Sequence, residues 1–453
     1  MRRRVPFTNS STNPEDILVH AGPGAGKTIG ALLGFKKLKE EGHLNKFIIL
    51  CHRNSIASQW REASLKLQLE VGNFEEIPMN EIANSENDGW IVTYQGATRS
   101  LELHKEKLNK ISNKRLLAIA DEAHHLGVNP EEPDEQIWGK VFLELTSSST
   151  LRVGLTGTPF RADNLGFCSA RKIQLHVNGE LIEQIRPDLC VEPRELISVG
   201  DIRPLEFHFQ DGWVEHNQQD QPNTEKSSIS SETRETWRAR NLRRAIKLSD
   251  KSSIGLQLLL RARKKLEQVR TSHDKAAGLV IAKDIEHAKI IAEVLKENGD
   301  SVELVHSLNK EANIRLKEFQ KKDSKWLVSV DMCSEGFDAP RLRVLAYMTT
   351  VVTRSRFIQG ITRIVRVNEE RTSIESIPRD LSYVFAPADP LLLEYARNWS
   401  SEKPYLIKGN AHISNTENLF YNPGRITLPM QAISDGAGEI IKMRSLELPR
   451  IKA

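Results

Sequence analysis

Short apolar runs alternate with amphipathic segments in the first 160 or so residues of the chain. The runs are rich in β-branched residues and read FIILC at 47–51, WIVTY at 90–94, LLAIA at 116–120 and LRVGLT at 151–156. Segments with helical periodicity lie between them, for example at 56–70. Because buried strands that alternate with helices are typical of a parallel sheet covered on both faces, the pattern predicts an α/β fold.

The same pattern returns between residues 279 and 348. The apolar runs there read LVIA at 279–282, VELVH at 302–306, WLVSV at 326–330 and VLAYM at 344–348. The segment 284–298 predicts a helix, because Asp284 can cap its start, apolar residues share one face and Gly299 follows its end. A second α/β unit is therefore predicted after the first.

Polar sequence separates the two patterns. Residues 216–233 (HNQQDQPNTEKSSISSET) contain almost no large apolar side chain, which predicts a loop or linker. Residues 234–270 have helical periodicity and many arginines. These arginines could either contact the phosphates of a nucleic-acid backbone or form a solvated helix face. We predict a first domain at 1–205, a linker and basic insertion at 206–250, a second domain at 251–395 and a tail of unassigned role at 396–453.

Composition narrows the class of protein without identifying it. The 453 residues allow roughly two or three domains of about 150 residues, and 39% hydrophobic with 27% charged residues is ordinary for a globular chain. No apolar run approaches the roughly 18 residues that span a bilayer, and no signal segment follows the basic N-terminus, so we expect a cytoplasmic protein. The four cysteines form no CxxC pair, which argues against a disulfide framework or a zinc site. A net charge of +4 does not by itself indicate a nucleic-acid partner.

A glycine-rich segment follows the apolar run at 17–20 and precedes a helical pattern. Residues 21–28 read AGPGAGKT, which gives the order of strand, glycine loop, lysine, threonine and helix that a phosphate-binding loop requires. Glycines allow backbone N–H groups to surround phosphate oxygens, and the helix N-terminus adds its positive end. Lys27 can then reach the outer phosphates, and Thr28 can ligate magnesium. The predicted nucleotide-binding residues of this loop are Gly22, Gly24, Ala25, Gly26, Lys27 and Thr28.

A pair of carboxylates follows the buried run at 116–120. Asp121 and Glu122 begin the sequence DEAH, where a strand of the first sheet is predicted to end. We predict that Asp121 holds magnesium and that Glu122 orients and deprotonates an attacking water. His124 could link this site to groups bound elsewhere. Solvated turn residues are the alternative interpretation, but the buried strand and the upstream phosphate loop favour the metal site.

A series of segments resembles, in the same order, the motifs of superfamily 2 helicases. The segments are 21–28 (motif I), 52–60 (HRNSIASQW, motif Ia), 93–95 (TYQ, motif Ib), 121–124 (DEAH, motif II), 156–161 (TGTPFR, motif III), 279–295 (motif IV), 328–340 (VSVDMCSEGFDAP, motif V) and 359–366 (QGITRIVR, motif VI). The sequences of these motifs are similar to those of bacterial DEAD/DEAH-box helicases that resemble type III restriction translocation subunits and the XPB-like branch.

This chain departs from the usual motifs at a few positions. Ala21 replaces a glycine in motif I, His52 and Arg53 replace Pro-Thr in motif Ia, and Thr362 replaces a glycine in motif VI. Residues 1–20 contain no glutamine of the kind that reads the adenine in many relatives. The selection of adenine is therefore left open by the sequence, and one expectation is an N-terminal segment that those relatives have and this sequence lacks.

The resemblance implies two tandem RecA-like domains, each a parallel sheet flanked by helices, with an ATP cleft between them. It also implies ATP and Mg²⁺ as cofactors. The implied catalytic residues are Lys27, Asp121, Glu122, Gln359, Arg363 and Arg366, with Thr28 and Asp121 on the metal and Gly336 and Asp338 near the ribose. The implied nucleic-acid contacts are Arg53, Thr93, Gln95 and Ser307, and His124, Thr156 and Thr158 couple the two sites. For Thr93 and Gln95 the alternative is ordinary turn chemistry at a strand end.

The activity that the resemblance implies is an ATP-dependent helicase or translocase that moves along or unwinds nucleic acid. DEAH combined with TGTP favours DNA, and RNA remains open. A duplex translocase or remodeller that leaves the strands paired is one alternative, and an ATP-gated nucleic-acid clamp is another. Because the sequence after residue 370 offers no convincing metal–carboxylate or nucleophile cluster, a nuclease, or a repair or defence protein, would be a separate partner. No membrane partner is expected.

Overall fold

The structure is a computed structural model that describes residues 14–22, 24–111, 115–126, 134–157, 172–177, 180–185, 187–216, 225–248, 253–306, 308–309, 311–330, 337, 339–399 and 440–447. The chain divides into two compact units. Nearly all described residues up to Val191 belong to the first unit, and nearly all of those from Glu192 onward belong to the second.

The first unit is built around a parallel sheet. Its strands are β1 (Glu15–Ala21), β2 (Lys46–Cys51), β3 (Val71–Asn73), β4 (Gly89–Thr93), β5 (Leu116–Ala120), β6 (Leu151–Thr156) and β9 (Leu189–Val191), and β7 (Lys172–Val177) pairs antiparallel with β8 (Glu180–Ile185) apart from them. Its helices are α1 (Lys27–Glu40), α2 (Asn54–Lys66), α3 (Tyr94–Arg99), α4 (Leu101–Lys110) and α5 (Asp134–Leu145), with 3₁₀ turns at Ile82–Asn84 and Ala123–Leu126. The order across the sheet is β3-β4-β2-β5-β6-β1-β9, and each neighbouring pair is parallel.

Burial on both faces explains why the strands of this sheet are short continuous apolar runs. All five residues of β5 are buried, and hydrophobic clusters that include Phe142 and Trp60 pack on the sheet. Because parallel strands end at the same edge of a sheet, the segments that follow β1, β2, β4, β5 and β6 lie along one edge. Those segments contain the predicted motifs I, Ia, Ib, II and III.

The second unit repeats this architecture with a mixed sheet. Its strands are β10 (Leu205–His216), β11 (Glu225–Ser228), β12 (Ala277–Ala282), β13 (Val302–Val305), β14 (Trp326–Ser329), β15 (Leu342–Met348), β16 (Ser382–Pro387) and β17 (Ile440–Glu447). Its helices are α6 (Pro193–Val199), α7 (Glu235–Ala245), α8 (Ile254–Arg270), α9 (Ile285–Glu297), α10 (Ala312–Lys321), α11 (Arg354–Ile361), α12 (Glu369–Thr372) and α13 (Pro390–Asn398). The order is β11-β10-β16-β15-β12-β14-β13, parallel from β10 to β13, while β11 and β17 pair antiparallel with β10.

The predicted fold class of two parallel-dominated α/β sheets with flanking helices is confirmed. The apolar runs form strands within one or two residues of the predicted bounds. The predicted helix after β12 forms as α9, where the Asp284 carboxylate accepts a hydrogen bond from the backbone N–H of His287 at 2.8 Å and Gly299 has a φ of 82°. No helix in the described ranges combines the length and apolar character needed to cross a bilayer.

The polar segment between the two patterns contains more structure than its composition predicts. Strand β11 lies within 216–233, and α7 and all of β10 except its first residue lie within the segment 206–250 that was predicted as a linker and basic insertion. Side-chain hydrogen bonds stabilise β11 in place of apolar burial: the Ser227 hydroxyl donates to the Glu232 carboxylate at 2.6 Å, and the Asn241 amide donates to the Ser227 hydroxyl at 2.8 Å. A strand of this kind has no hydrophobic periodicity to reveal it.

Candidate active site

The phosphate-binding loop connects β1 to α1. Gly26 is the N-cap of α1 with a φ of 70°, and Gly24 has a φ of 85°, both in the left-handed region that favours glycine. The Lys27 ammonium donates a hydrogen bond to the carbonyl of Ala21 at 3.0 Å, across the start of the loop. Strand, left-handed glycines and helix N-terminus therefore occur in the order that the sequence predicted, with Lys27 and Thr28 in the first turn of α1.

Asp121 directly follows β5 and is fixed through both its backbone and its side chain. Its N–H donates to the carbonyl of Leu50 at 2.9 Å, and its carbonyl accepts from the Tyr94 hydroxyl at 2.8 Å. Its carboxylate accepts from the Trp60 indole N–H at 2.7 Å and from the N–H of Glu122 at 3.0 Å. The side chain is thus buried in one defined orientation.

Glu122 has a φ of 48°, a left-handed conformation that is uncommon for a residue with a side chain. His124 Nδ1 lies 3.4 Å from its carboxylate and 3.3 Å from the hydroxyl of Thr156 at the end of β6. The strained backbone and the histidine together hold Glu122 beside Asp121. Backbone strain of this kind occurs preferentially at functional sites.

The electrostatics of the pair connect it to the phosphate loop. Burial and the charge of Glu122 raise the pKa of Asp121 to about 6, while the Trp60 hydrogen bond and the charge of Lys27 act in the opposite direction. Burial would raise the pKa of Glu122 as well, but the hydrogen bond with His124 and the charge of Lys27 lower it to about 2. The strand β6 pairs with β1 on one side and with β5 on the other, so the phosphate loop and the carboxylates follow strands that end at the same edge of the sheet.

The side chains present are of the type that holds magnesium. Mg²⁺ prefers hard oxygen ligands and is usually bound by one or two carboxylates together with substrate phosphates. Asp121 supplies a buried carboxylate whose ionised form a cation would stabilise, and Thr28 supplies a hydroxyl in the first turn of α1. The donor set therefore fits the ion that the sequence predicted.

The predicted nucleic-acid contacts of the first unit meet at one place on the sheet edge. Arg53 is the N-cap of α2, two residues after the end of β2, and Thr93, the last residue of β4, is the N-cap of α3. Cys51 and Thr93 are paired in register, because β2 and β4 are neighbours. The Thr93 hydroxyl accepts from the N–H of Gly96 at 3.0 Å, which is the turn chemistry considered as its alternative role, and Gln95 is exposed.

In the second unit, motif VI spans the end of α11 and the residues that follow. Gln359 lies in the last turn of the helix, and Thr362 is buried and donates its hydroxyl to the Gln359 carbonyl at 2.8 Å. Arg363 donates to the carbonyl of Phe337 at 2.7 Å, and Arg366 forms an isolated antiparallel bridge with Ile202. The motif is therefore anchored inside its own unit at both ends.

A few predicted residues lie outside the described residues. They are Thr158, Ser307, Gly336 and Asp338, so their predicted roles stay predictions. The basic segment 234–270 is described in most of its length, and part of it is structural. Arg238 is buried in an ion pair with Asp389 at 3.3 Å, and Trp237 packs under the Arg234 guanidinium at 3.9 Å rather than lying in a fully buried core.

Sequence reasoning missed three side chains that support these sites. Trp60 and Tyr94 lie within the predicted motifs Ia and Ib but received no role, although a buried indole N–H or phenol O–H usually requires a partner. Arg203 was not singled out at all. It is fully buried and donates to Glu375 at 2.8 Å, and Arg371 donates to the same carboxylate at 2.7 Å.

Two protein-family models match the chain. One, described as the res subunit of type III restriction enzymes, matches residues 5–161, and the helicase conserved C-terminal domain matches residues 261–368. An uncharacterized protein of Mycobacterium leprae is 28% identical over 439 residues, covering 94% of this chain and 68% of that protein. A putative helicase of a Sulfolobus islandicus filamentous virus is 24% identical over 368 residues, covering 78% of this chain and 58% of the viral protein.

The chain spans about two thirds of the length of its mycobacterial relatives, 64% in the case of a Mycobacterium tuberculosis protein.

Solved structures with a similar fold include a fragment of a putative HsdR subunit of a type I restriction enzyme from Vibrio vulnificus. It has a TM-score of 0.51 at 15% identity and covers 86% of this chain and 62% of that one. The ATP-dependent Type ISP restriction-modification enzyme LlaBIII bound to DNA has a TM-score of 0.51 at 14% identity and covers 82% and 26%. At these identities the likeness concerns the fold alone.

The resemblance drawn from the motifs is confirmed by the family models, which together match more than half of the chain. The match to the restriction res subunit also agrees with the resemblance of the first-unit motifs to type III restriction translocation subunits. The chain belongs to superfamily 2 of the helicases.

Proposed function

We propose that the chain is an ATP-driven motor that moves along or unwinds nucleic acid, with DNA as the favoured track. The observation that carries this proposal is that Lys27 and the carboxylate pair follow strands of one parallel sheet. Lys27 comes after β1, Asp121 and Glu122 come after β5, and β6 pairs in parallel with both strands. The groups proposed to bind phosphate and to activate water are therefore at the same edge of the sheet, as hydrolysis requires.

The first unit supplies nucleotide binding and activation of water. In the proposal, Lys27 binds the outer phosphates, and Thr28 and Asp121 hold magnesium, which when bound neutralises phosphate charge. Glu122 orients the attacking water and accepts its proton.

The second unit is proposed to supply positive charge for the transition state. Arg363 and Arg366 stabilise the charge that develops on the γ-phosphate. Gln359 of the same motif is proposed as a further catalytic residue. Gly336 and Asp338 are proposed to lie near the ribose. Motif VI supports this proposal because its backbone is paired with Ile202 at Arg366 and the Arg363 side chain is bonded to the Phe337 carbonyl, which fixes the segment that carries both arginines.

Nucleic acid is proposed to bind at Arg53, Thr93 and Gln95 in the first unit and at Ser307 in the second. The two first-unit segments support the proposal because they meet at adjacent strand ends. His124, which lies within 3.4 Å of Glu122 and 3.3 Å of Thr156, is proposed to couple hydrolysis to motif III, including Thr158. DNA is favoured by DEAH combined with TGTP, and one enzyme of similar fold was solved bound to DNA.

A test separates the motor from its alternatives. ATP hydrolysis should be measured with single-stranded DNA, duplex DNA and RNA as stimulants, beside strand-displacement and triplex-displacement assays. We expect DNA to stimulate hydrolysis and labelled strands to be displaced. Triplex displacement without strand separation would indicate a duplex translocase or remodeller. Nucleic-acid binding that depends on ATP but does not stimulate hydrolysis would indicate a clamp and overturn the motor.

Location and partners are part of the same proposal. We propose that the protein is located in the cytoplasm, where the nucleic acid on which it acts would be available. A nuclease, or a repair or defence protein, is proposed as a separate partner that uses the translocation. Co-purification from cells at native expression, with and without nuclease treatment of the extract, would test for such a partner.

A further inference from the structure

Trp60 occupies a specific position on the buried face of α2. Its side chain is 1% exposed and packs in the hydrophobic cluster with Ile49 and Ile119. From within this apolar surrounding, its Nε1–H donates to the Oδ2 of Asp121 at 2.7 Å, and the bond itself is buried. The indole therefore contacts a charged group in a region where most neighbours are apolar.

The hydrogen bond leaves the carboxylate able to bind a cation. Each carboxylate oxygen has two acceptor positions, and Oδ2 uses one for Trp60 while Oδ1 uses one for the N–H of Glu122. Both donors are neutral, so they orient the group without cancelling its charge. A lysine or arginine in place of Trp60 would compete with a metal for that charge.

The backbone of Asp121 is held from a second direction. Tyr94, which is also 1% exposed, donates its hydroxyl to the Asp121 carbonyl at 2.8 Å. The N–H of Asp121 is bonded to Leu50 at 2.9 Å. With the backbone fixed in this way, the direction of the carboxylate depends on its two donors, and the indole is the one that comes from a side chain.

We propose that Trp60 is the positioning residue for the magnesium carboxylate Asp121, acting through its indole N–H. This inference rests on the proposed function, because it takes Asp121 to be a metal ligand. Groups that hydrogen-bond a metal ligand typically change metal affinity about 10- to 100-fold when they are removed. A purely structural Trp60 would depend on the shape of its ring and be indifferent to the N–H.

The chain offers a matched control in Trp90 of β4. Trp90 is 0% exposed and belongs to the same unit, but among the described residues its indole nitrogen has no hydrogen-bond partner. Replacing either tryptophan by benzothienylalanine, which keeps the shape of the ring and exchanges N–H for sulfur, removes only the donor. Trp60→Phe and Trp90→Phe are a second pair that remains within the standard amino acids.

The direct experiment titrates Mn²⁺ into the full chain saturated with adenylyl imidodiphosphate and follows bound metal by electron paramagnetic resonance. We expect the half-saturating Mn²⁺ concentration to rise about tenfold for the Trp60 analogue and to stay unchanged for the Trp90 analogue. A parallel titration of Mg²⁺ in the hydrolysis assay should raise the half-activating concentration by a similar factor, with most of kcat recovered at saturating metal. Thermal unfolding of each variant confirms that it is folded.

An Asp121→Asn variant separates this inference from the proposed function. If Asp121→Asn weakens Mn²⁺ binding and the Trp60 analogue does not, Asp121 is a ligand and the positioning role of Trp60 is wrong. If Asp121→Asn leaves Mn²⁺ binding unchanged, the metal assignment fails and the inference fails with it. Equal losses for the Trp60 and Trp90 analogues would also overturn the inference, because the N–H of Trp90 contacts no ligand.

Discussion

The carboxylate pair of the first unit and the arginine segment of the second unit are held in place by different kinds of partner. Asp121 receives hydrogen bonds from neutral donors, the indole of Trp60 and the N–H of Glu122. The segment after motif VI is held by buried ions: Glu375, with a side chain 4% exposed, accepts from both Arg203 and Arg371.

The two kinds of partner suit the different roles of the Asp121 and Glu375 carboxylates. A carboxylate that is to bind a metal must keep its charge, so neutral donors suit it, whereas Glu375 is fully engaged by arginines and can act only structurally. Arg203 is also hydrogen-bonded to motif VI, because its backbone N–H donates to the carbonyl of Val365 at 2.7 Å. The ionic cluster is thus connected through Arg203 to the backbone next to Arg366.

The largest expected effect comes from removing the arginines of motif VI. Arg363→Ala and Arg366→Ala should each lower kcat for ATP hydrolysis by about 10³-fold or more, because such arginines stabilise transition-state charge. Binding of a fluorescent ATP analogue should change far less. Steady-state hydrolysis and equilibrium binding check the two halves of this prediction.

The control for these variants is Arg315→Ala. Arg315 lies on α10 with a side chain 43% exposed, and its guanidinium lies 3.9 Å from the Glu311 carboxylate. It should hydrolyse ATP at the rate of the unmodified protein. An Arg366→Ala variant as active as this control would remove motif VI from the catalytic proposal.

The next effect concerns stability rather than catalysis. Glu375→Gln leaves Arg203, which is 0% exposed, without its counter-charge, and breaking a buried pair typically costs about 3–5 kcal/mol. We expect the unfolding transition of the second unit to shift to lower urea concentration. Glu311→Gln removes an exposed contact and should shift it little. A Glu375→Gln variant as stable as Glu311→Gln would show that the buried cluster is not what holds this segment.

The same carboxylate predicts a pH dependence. Burial would raise the pKa of Glu375, but hydrogen bonds from Arg203 and Arg371 lower it to about 2 from an ordinary 4.5. Because the folded pKa lies below the unfolded one, the stability it contributes is present above about pH 4.5 and is lost as the pH falls toward 2. The difference in unfolding free energy between the unmodified protein and Glu375→Gln should therefore shrink across that range. A difference that stayed constant from pH 6 to pH 3 would contradict this account.

The smallest expected effect separates two roles of Thr93 in the first unit. Thr93→Ala removes the cap of α3 and should cost about 1 kcal/mol. Thr93→Asp keeps a capping oxygen but places a negative charge where a phosphate is proposed to bind. Thr93→Asp should therefore retain stability and lose affinity for DNA, as measured by urea unfolding and fluorescence anisotropy. Unchanged affinity would leave Thr93 with its capping role alone.

The features that could be predicted from the sequence are those with local signals. The run at 116–120, the cap at Asp284 and the glycines before Lys27 each show their structure within a few neighbouring residues. The supporting contacts could not be predicted in this way. Trp60 meets Asp121 across 61 positions and Arg203 meets Glu375 across 172, and no periodicity encodes such a pairing. Strand β11 was missed for a related reason, since the side chains that hydrogen-bond its serines include Asn241 of α7 and Asp211 of β10.

The central claim is that Lys27 and the carboxylate pair hydrolyse ATP in response to nucleic acid. The most direct test measures ATP hydrolysis with and without DNA for the unmodified chain, for Lys27→Ala and for Lys37→Ala, a lysine 75% exposed near the end of the same helix. The account predicts that DNA stimulates the unmodified chain and Lys37→Ala alike, and that Lys27→Ala shows no stimulated hydrolysis. Hydrolysis by Lys27→Ala at the rate of the other two proteins would contradict it.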